Sequence, residues 1–247
     1  SVVQYVSLHH GSPDNPVDIS EPVNLGNTIN AVVTVTDGDG DVSTASTAIG
    51  SAVKFLDDGP TAAVNLTANT VSVDETAGIQ ANEVAGPLVF AGVANPGTDL
   101  PAAQYAQSAA AVVNADGTVL GADQEGATTA FSLAIANINS GLTTTDGHAI
   151  QLFLENGIIV GRYDSNGVGG ITAADNAAFA VAIDANTGVL SVVQYVSLHH
   201  GSPDNPTDIS EPVNLGNTIN AIVTVTDGDL DVSTASTAIG SAVKFLD

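Results

Sequence analysis

The chain has 247 residues, with 27 Asp plus Glu against 3 Lys plus Arg, a formal net charge of −24, and no Cys, Met or Trp. A hydrophobic share of 44% is enough for a real core, so the acidity does not signal disorder. Two lysines and one arginine do not neutralise a nucleic-acid backbone or an anionic lipid surface, and the missing cysteines exclude disulfides, thiolate zinc sites and cysteine catalysis.

The length fits one large domain or two ordinary ones. No apolar run approaches the roughly 20 residues of a membrane span, and no basic-then-apolar signal opens the chain at Ser1, which reads as an excised piece. Aromatics make up only 4%, leaving the core to Val, Ile, Leu, Ala and Thr. Self-similarity sets the frame. Ser1 to Asp57 returns at Ser191 to Asp247, with Val17, Val32 and Gly40 replaced by Thr207, Ile222 and Leu230 and no other change. The period is longer than the roughly 20–50 residues of solenoid units, so each unit is expected to be a self-standing bead in a tandem array.

In chain order, strands are expected at Val2–Leu8, at Ile29 to Val35, where Ile29, Ala31, Val33 and Val35 alternate with polar residues, and at Val53–Leu56. Further candidates are Val71–Val73, Thr118–Leu120, the alternating Phe131, Leu133 and Ile135, then Ile150 to Leu154 and Ile158 to Tyr163 around Asn156-Gly157. An Asn-Gly pair between apolar runs is a strong hairpin signal. Ala178–Ile183 and Val189–Leu198 complete the set. Asp116-Gly117, Asp146-Gly147, Asp164-Ser165-Asn166-Gly167 and Asn186-Thr187-Gly188 mark turns. Ala102 to Val112 is the single candidate helix, on alanine content. Many short strands with regular turns predict an all-β sandwich. Gly59-Pro60 reads as a junction between beads, giving 1–58 as the C-terminal part of a preceding repeat and 59–247 as one full repeat. A frame that divides the repeat differently stays open, because an orphan tail would expose apolar strand faces.

Asp37-Gly38-Asp39-Gly40-Asp41 follows a strand, and Asp227-Gly228-Asp229-Leu230-Asp231 repeats it. Three carboxylates in one compact turn repel each other, and hard oxygen ligands at i, i+2 and i+4 suit Ca²⁺, which takes six to eight oxygens. The loop is not an EF-hand, since position 12 from Asp37 is Ala48 instead of a bidentate Glu, and the calcium β-roll nonapeptide is absent. Asp57-Asp58 lies at the expected junction and Asp74-Glu75 follows a short strand, so the four acids are expected to meet in an interdomain calcium clamp. Asp116, Asp123, Glu125, Asp146, Asp164 and Asp184 sit singly in turns and are read as turn formers or solubilising charges.

The run Val33 to Asp41, then Phe55-Leu56-Asp57-Asp58-Gly59-Pro60, then Val73-Asp74-Glu75 resembles the repeat of giant RTX adhesins exported by type I secretion. Ser140-Gly141-Leu142 leading to Asp146-Gly147, and Leu198-His199-His200 closing a strand, are also similar. The resemblance implies tandem, calcium-stabilised, Ig-like β-sandwich extenders that hold a distal ligand-binding domain away from a Gram-negative outer membrane for surface attachment and biofilm formation. It implies calcium ligands at Asp37, Asp39, Asp41, Asp57, Asp58, Asp74 and Glu75, with Asp227, Asp229, Asp231 and Asp247 as the second copy. Leu230 departs from Gly40, which puts that copy of the turn in question, and the glycine-rich secretion repeats are absent. Expected partners are neighbouring repeats of the same chain, in a monomeric extracellular molecule that neither inserts in a membrane nor binds nucleic acid.

Of the histidines, His9-His10 recur as His199-His200, and successive residues in a strand face opposite ways. With no HExxH or GxSxG, the chain reads as non-enzymatic and the histidines as surface or loop-capping residues. The other non-enzymatic reading is a repeated glycan-binding or cell-binding module, which the low aromatic content disfavours. A third makes the acids a solvation shell for high salt, against which their clustering in turns speaks.

Overall fold

The computed structural model describes residues 1–10, 22–75, 88–122, 124–201 and 212–247. Asp123, read above as a turn former, lies outside the described residues. The chain is all-β, as its patterning predicts, with open sheets and, among the described residues, three 3₁₀ turns at Gly50–Ala52, Leu88–Phe90 and Gly240–Ala242. Among the described residues no helix is long and apolar enough to cross a membrane.

The chain divides into two compact units, one of residues 1–61, 119–128 and 225–233, the other of 62–118, 129–224 and 234–247. In the first, β1 (Val23–Asn24) pairs with β4 (Lys54–Phe55), and β2 (Asn30–Thr36) forms an antiparallel hairpin with β3 (Val42–Ala48). In the second, β5 (Asn65–Leu66) is followed by β6 (Val71–Asp74), β7 (Gln104–Gln107), β8 (Val113–Asn114), β9 (Thr128–Ile135) and β10 (Asn139–Thr143). Then come β11 (Ala149–Glu155), β12 (Ile158–Tyr163), β13 (Asn176–Ile183), β14 (Leu190–Gln194) and β15 (Val213–Asn214). Last are β16 (Ile219–Thr226) and β17 (Val232–Ala238), whose ends at 225–226 and 232–233 belong to the first unit, and β18 (Val243–Leu246).

A six-stranded sheet runs β10-β11-β12-β13-β14-β7, and two three-stranded sheets run β15-β18-β6 and β17-β16-β9. Most pairings are antiparallel, but β6 runs parallel to β18, from Val71↔Val243 to Leu246↔Asp74. Asn156 and Gly157 both take positive φ, which gives the two-residue turn that joins β11 to β12. The core lies between the sheets. Phe179 of β13 meets Phe245 of β18 with ring centroids 4.8 Å apart, among Val, Ile, Leu and Ala side chains that are almost wholly buried. Phe179 also lies over its cross-strand partner Gly161, where a Cβ would come within 2.5 Å of the ring.

The one arginine, Arg162, is fully buried on β12. Its Nε and Nη2 donate to Glu155 Oε1 and Oε2 at 2.6 and 2.7 Å, while Nη1 donates to the carbonyls of Ala94 and Asp175 at 3.0 and 2.6 Å. A bidentate fork with two further carbonyls is how a guanidinium tolerates burial.

Three expectations are corrected. Ala102 to Val112 is no helix: Gln104–Gln107 is β7, paired with β14 so that Ala106 and Gln104 are buried. Sheet pairing outweighs the few tenths of a kcal/mol per residue that alanine offers a helix. Thr118–Leu120 is reduced to an isolated bridge from Val119 to Thr61. Val2–Leu8 holds no strand, although the identical Ser191–Gln194 lies in β14 between β13 and β7. Val2 and Val3 are 56% and 65% exposed, whereas Val192 and Val193 are wholly buried. Likewise β2 is exposed along its length, whereas Ile219, Ala221 and Val223 of the matching β16 are buried beside β9.

Replacing Gly161 by Val is expected to destabilise the second unit by about 1–3 kcal/mol, since the added methyls meet the Phe179 ring. Arg162→Met, which leaves Glu155 without its fork, is expected to cost about 3 kcal/mol. Both are read from denaturant unfolding against the parent chain, and an effect within about 0.5 kcal/mol contradicts the packing described.

Candidate metal centre

Both Asp-rich turns close a strand hairpin in the same way. In the first, the Asp37 amide donates to the Asp41 carbonyl at 3.0 Å and the Asp41 amide donates to Asp37 Oδ1 at 2.9 Å. In the second, Asp227 and Asp231 repeat these bonds at 3.0 and 2.8 Å. Each turn needs a left-handed residue at its fourth position, where Gly40 has φ +100° and Leu230 φ +87°. The replacement of Gly40 by Leu230 therefore leaves the turn intact. It places a β-carbon where L-residues are strained, by about 1–2 kcal/mol.

The surroundings of the two turns differ. Asp37, Asp39 and Asp41 are exposed, and hydrogen bonds from the Asp39 side chain first, then from the Asp41 amide, hold Asp37 below the usual carboxylate range. Asp227, Asp229 and Asp231 are buried, with carboxylate oxygens within 4.8 Å of one another. Among the described residues, both oxygens of Asp229 are buried without a hydrogen-bond partner. A buried ionised carboxylate is costly unless something compensates it.

The junction residues complete this end of the first unit. Gly59 stands against Asp231, close enough that a Cβ would lie 3.1 Å from Asp231 Oδ2. A Cβ on Gly121 would collide with the Asp58 carbonyl, so the backbone of 58–59 runs hard against that loop. The Asp57 side chain is buried, and its Oδ1 lies 3.1 Å from His10 Nδ1, which is in turn 3.8 Å from Asp229 Oδ2. Asp57 and Asp229 were expected as ligands of separate clusters; here they meet around a histidine. Asp58 is exposed, and its amide donates to Asp57 Oδ1 at 2.9 Å.

Asp74 and Glu75 lie in the second unit with Asp247. The parallel β6–β18 pairing sets Leu246 opposite Asp74, and the Glu75 amide donates to the Leu246 carbonyl at 3.3 Å, so Asp247 follows directly alongside. Glu75 is a hub: it accepts from Gln194 Nε2 (2.6 Å), the Ser197 hydroxyl (2.6 Å) and the Leu198 amide (2.7 Å). Protein donors thus occupy three of the carboxylate's roughly four lone-pair sites. His200 Nε2 lies 3.8 Å from Glu75 Oε1.

The reading of the histidines as surface or loop-capping residues holds for His9 and His199, which are exposed, but not for His10 and His200, which are almost wholly buried. The signal was present in the alternation: of two adjacent residues in extended chain, one faces in.

The chain matches a family described as a domain of unknown function (DUF5801), over residues 1–50 and 70–240. The chain belongs to this DUF5801 family. The two matched stretches end at Gly50 and Gly240, which are equivalent positions of the internal repeat. No curated protein and no solved structure matches the chain.

Leu230→Gly, which relieves the left-handed leucine at an exposed position, is expected to stabilise the chain by about 1 kcal/mol. Thermal unfolding checks this, and a loss of stability would mean that the Leu230 side chain contributes a contact of its own.

Proposed function

We propose that this chain is a structural extender of a large cell-surface adhesin of RTX type, in which Ca²⁺ at the Asp-rich turns and at the junctions between repeats makes the array rigid. The observation that carries this reading is the buried Asp227, Asp229, Asp231 turn with both Asp229 oxygens lacking a hydrogen-bond partner. Three converging carboxylates, the middle one with both oxygens unpartnered among the described residues, are a donor set for a hard divalent cation, and Ca²⁺ accepts irregular oxygen geometry more readily than Mg²⁺ does. The near-identity of the repeated 57 residues supports a length device built from interchangeable copies.

Asp227, Asp229 and Asp231 would hold the ion, and Asp37, Asp39 and Asp41 would form its exposed counterpart. Bound Ca²⁺ would offset the repulsion among the acids and stiffen the turn. Extracellular calcium modules bind at about 10⁻⁴–10⁻³ M, so the chain would be loose in a calcium-poor cytoplasm and would set outside the cell. Its place would be the outer face of a Gram-negative outer membrane. Its partners would be neighbouring repeats of the same chain, and it would carry a distal ligand-binding domain in surface attachment and biofilm formation.

One site at a hundredfold excess over its Kd contributes about 2.7 kcal/mol, a rise in Tm on the order of 5–10 °C for a chain of this size. Adding about 10 mM Ca²⁺ to the chelated protein, a hundredfold over a Kd of about 10⁻⁴ M, is expected to produce about this rise, with Mg²⁺ at matched ionic strength giving little. Asp229→Asn is expected to remove much of the increment and the exposed Asp39→Asn to remove less. An equal response to Ca²⁺, Mg²⁺ and plain salt would sink the reading and leave the acids as a solvation shell.

A further inference from the structure

We infer that His10, Asp57 and Asp229 form a separate site for a first-row transition cation, Zn²⁺ in particular, next to the all-oxygen turn and sharing Asp229 with it. The three residues are brought within ligand distance of one another, with donor atoms inside 4.8 Å. The His10 side chain is 3% exposed, and both its ring nitrogens are buried without a hydrogen-bond partner. Buried imidazoles ordinarily use at least one nitrogen to donate and orient the ring. Here Nδ1 is turned instead towards two carboxylates, 3.1 Å from Asp57 Oδ1 and 3.8 Å from Asp229 Oδ2.

The 3.1 Å separation lies within hydrogen-bond range, but Nδ1 makes no hydrogen bond to Asp57, and the pair of distances suits a metal ion shared by the three side chains. Ligands held at about 2.0–2.1 Å around a tetrahedral Zn²⁺ stand about 3.3 Å apart, between the two distances observed. The chemistry of the set points the same way. Ca²⁺ takes oxygen ligands, whereas an imidazole with two carboxylates suits Zn²⁺ and its first-row neighbours. Water would complete the fourth position.

Asp229 has two unpartnered oxygens, one for each ion, so its carboxylate serves as a bridge between the nitrogen-containing site and the turn. Two of the three ligands, His10 and Asp57, belong to the first copy of the repeated segment, and Asp229 belongs to the second. A Zn²⁺ ion would therefore fasten one copy to the next through side chains far apart in sequence. The inference rests on the geometry at His10 and holds whether or not the neighbouring turn takes Ca²⁺.

The test is Co²⁺ titration of the intact chain in saturating Ca²⁺, followed by visible absorption, with Zn²⁺ as competitor. Difference spectra between the parent and His10→Gln cancel all other sites, including any at His200. Loss of one equivalent of Zn²⁺-displaceable, low-coordinate Co²⁺ absorption in His10→Gln, with affinity down at least about tenfold, supports the site. His9→Gln, at the exposed neighbour, should leave the spectrum unchanged. If His10→Gln fails to fold, Asp57→Asn replaces it, with the same expectation. Identical spectra for parent and variant, or no Co²⁺ absorption at all in saturating Ca²⁺, would overturn it. A calcium-dependent melt that persists in His10→Gln shows that loss of this site is not loss of the calcium-dependent fold.

Discussion

Negative charge packed inward, in a chain with almost no cations of its own, is the constraint on which this structure turns. The single arginine is committed within β11 and β12 to Glu155 and two carbonyls. At Asp227, Asp229 and Asp231 the fold nevertheless buries three acids on one turn, and it leaves both oxygens of the middle one without a donor. Glu75 shows the contrasting solution. Its carboxylate is largely enclosed by chain too, but an amide, a hydroxyl and a side-chain amide all point into it. Glu75 is thus satisfied by donors of the chain, whereas neither oxygen of Asp229 has a hydrogen-bond donor among the described residues.

The internal repeat separates what local sequence decides from what packing decides. The Asp-rich turn forms identically in both copies, even with a leucine in a left-handed position, because its hydrogen bonds close within five residues. The strand at Ser191–Gln194 forms only where β13 and β7 flank it, and the same four residues at the start of the chain form none. Periodicity therefore revealed β2, β9, β11, β12 and β13, whose alternation or Asn-Gly turn is written locally. It overstated Val2–Leu8 and Thr118–Leu120, whose pairing depends on distant chain. Alanine content misled at Gln104–Gln107 for the same reason: the pairing with β14 is invisible to a local window.

The acids of the site were legible, because carboxylates alternating with small residues have few structural uses. Their partners within each unit were not: in the first unit Asp57 is found beside His10 and Asp229, and in the second Asp74-Glu75 lies beside Asp247. The second grouping follows from a parallel pairing between strands more than 160 residues apart, which no local pattern announces. His10 was the residue most clearly passed over. Its inward-facing place beside an exposed His9 follows from strand alternation, but its carboxylate neighbours emerge only from the folded chain.

The parallel alignment of β6 with β18 also governs how the second unit answers to mechanical load. Tension entering before Val71 and leaving after Leu246 pulls these neighbours in opposite senses along their length. The hydrogen bonds from Val71↔Val243 to Leu246↔Asp74, with the Glu75 amide beyond them, then resist together in shear instead of opening one after another as a zipper. Phe245, seated on Phe179, must leave the core before the strand can slide. The parallel pair is thus also the mechanical clamp of its sheet.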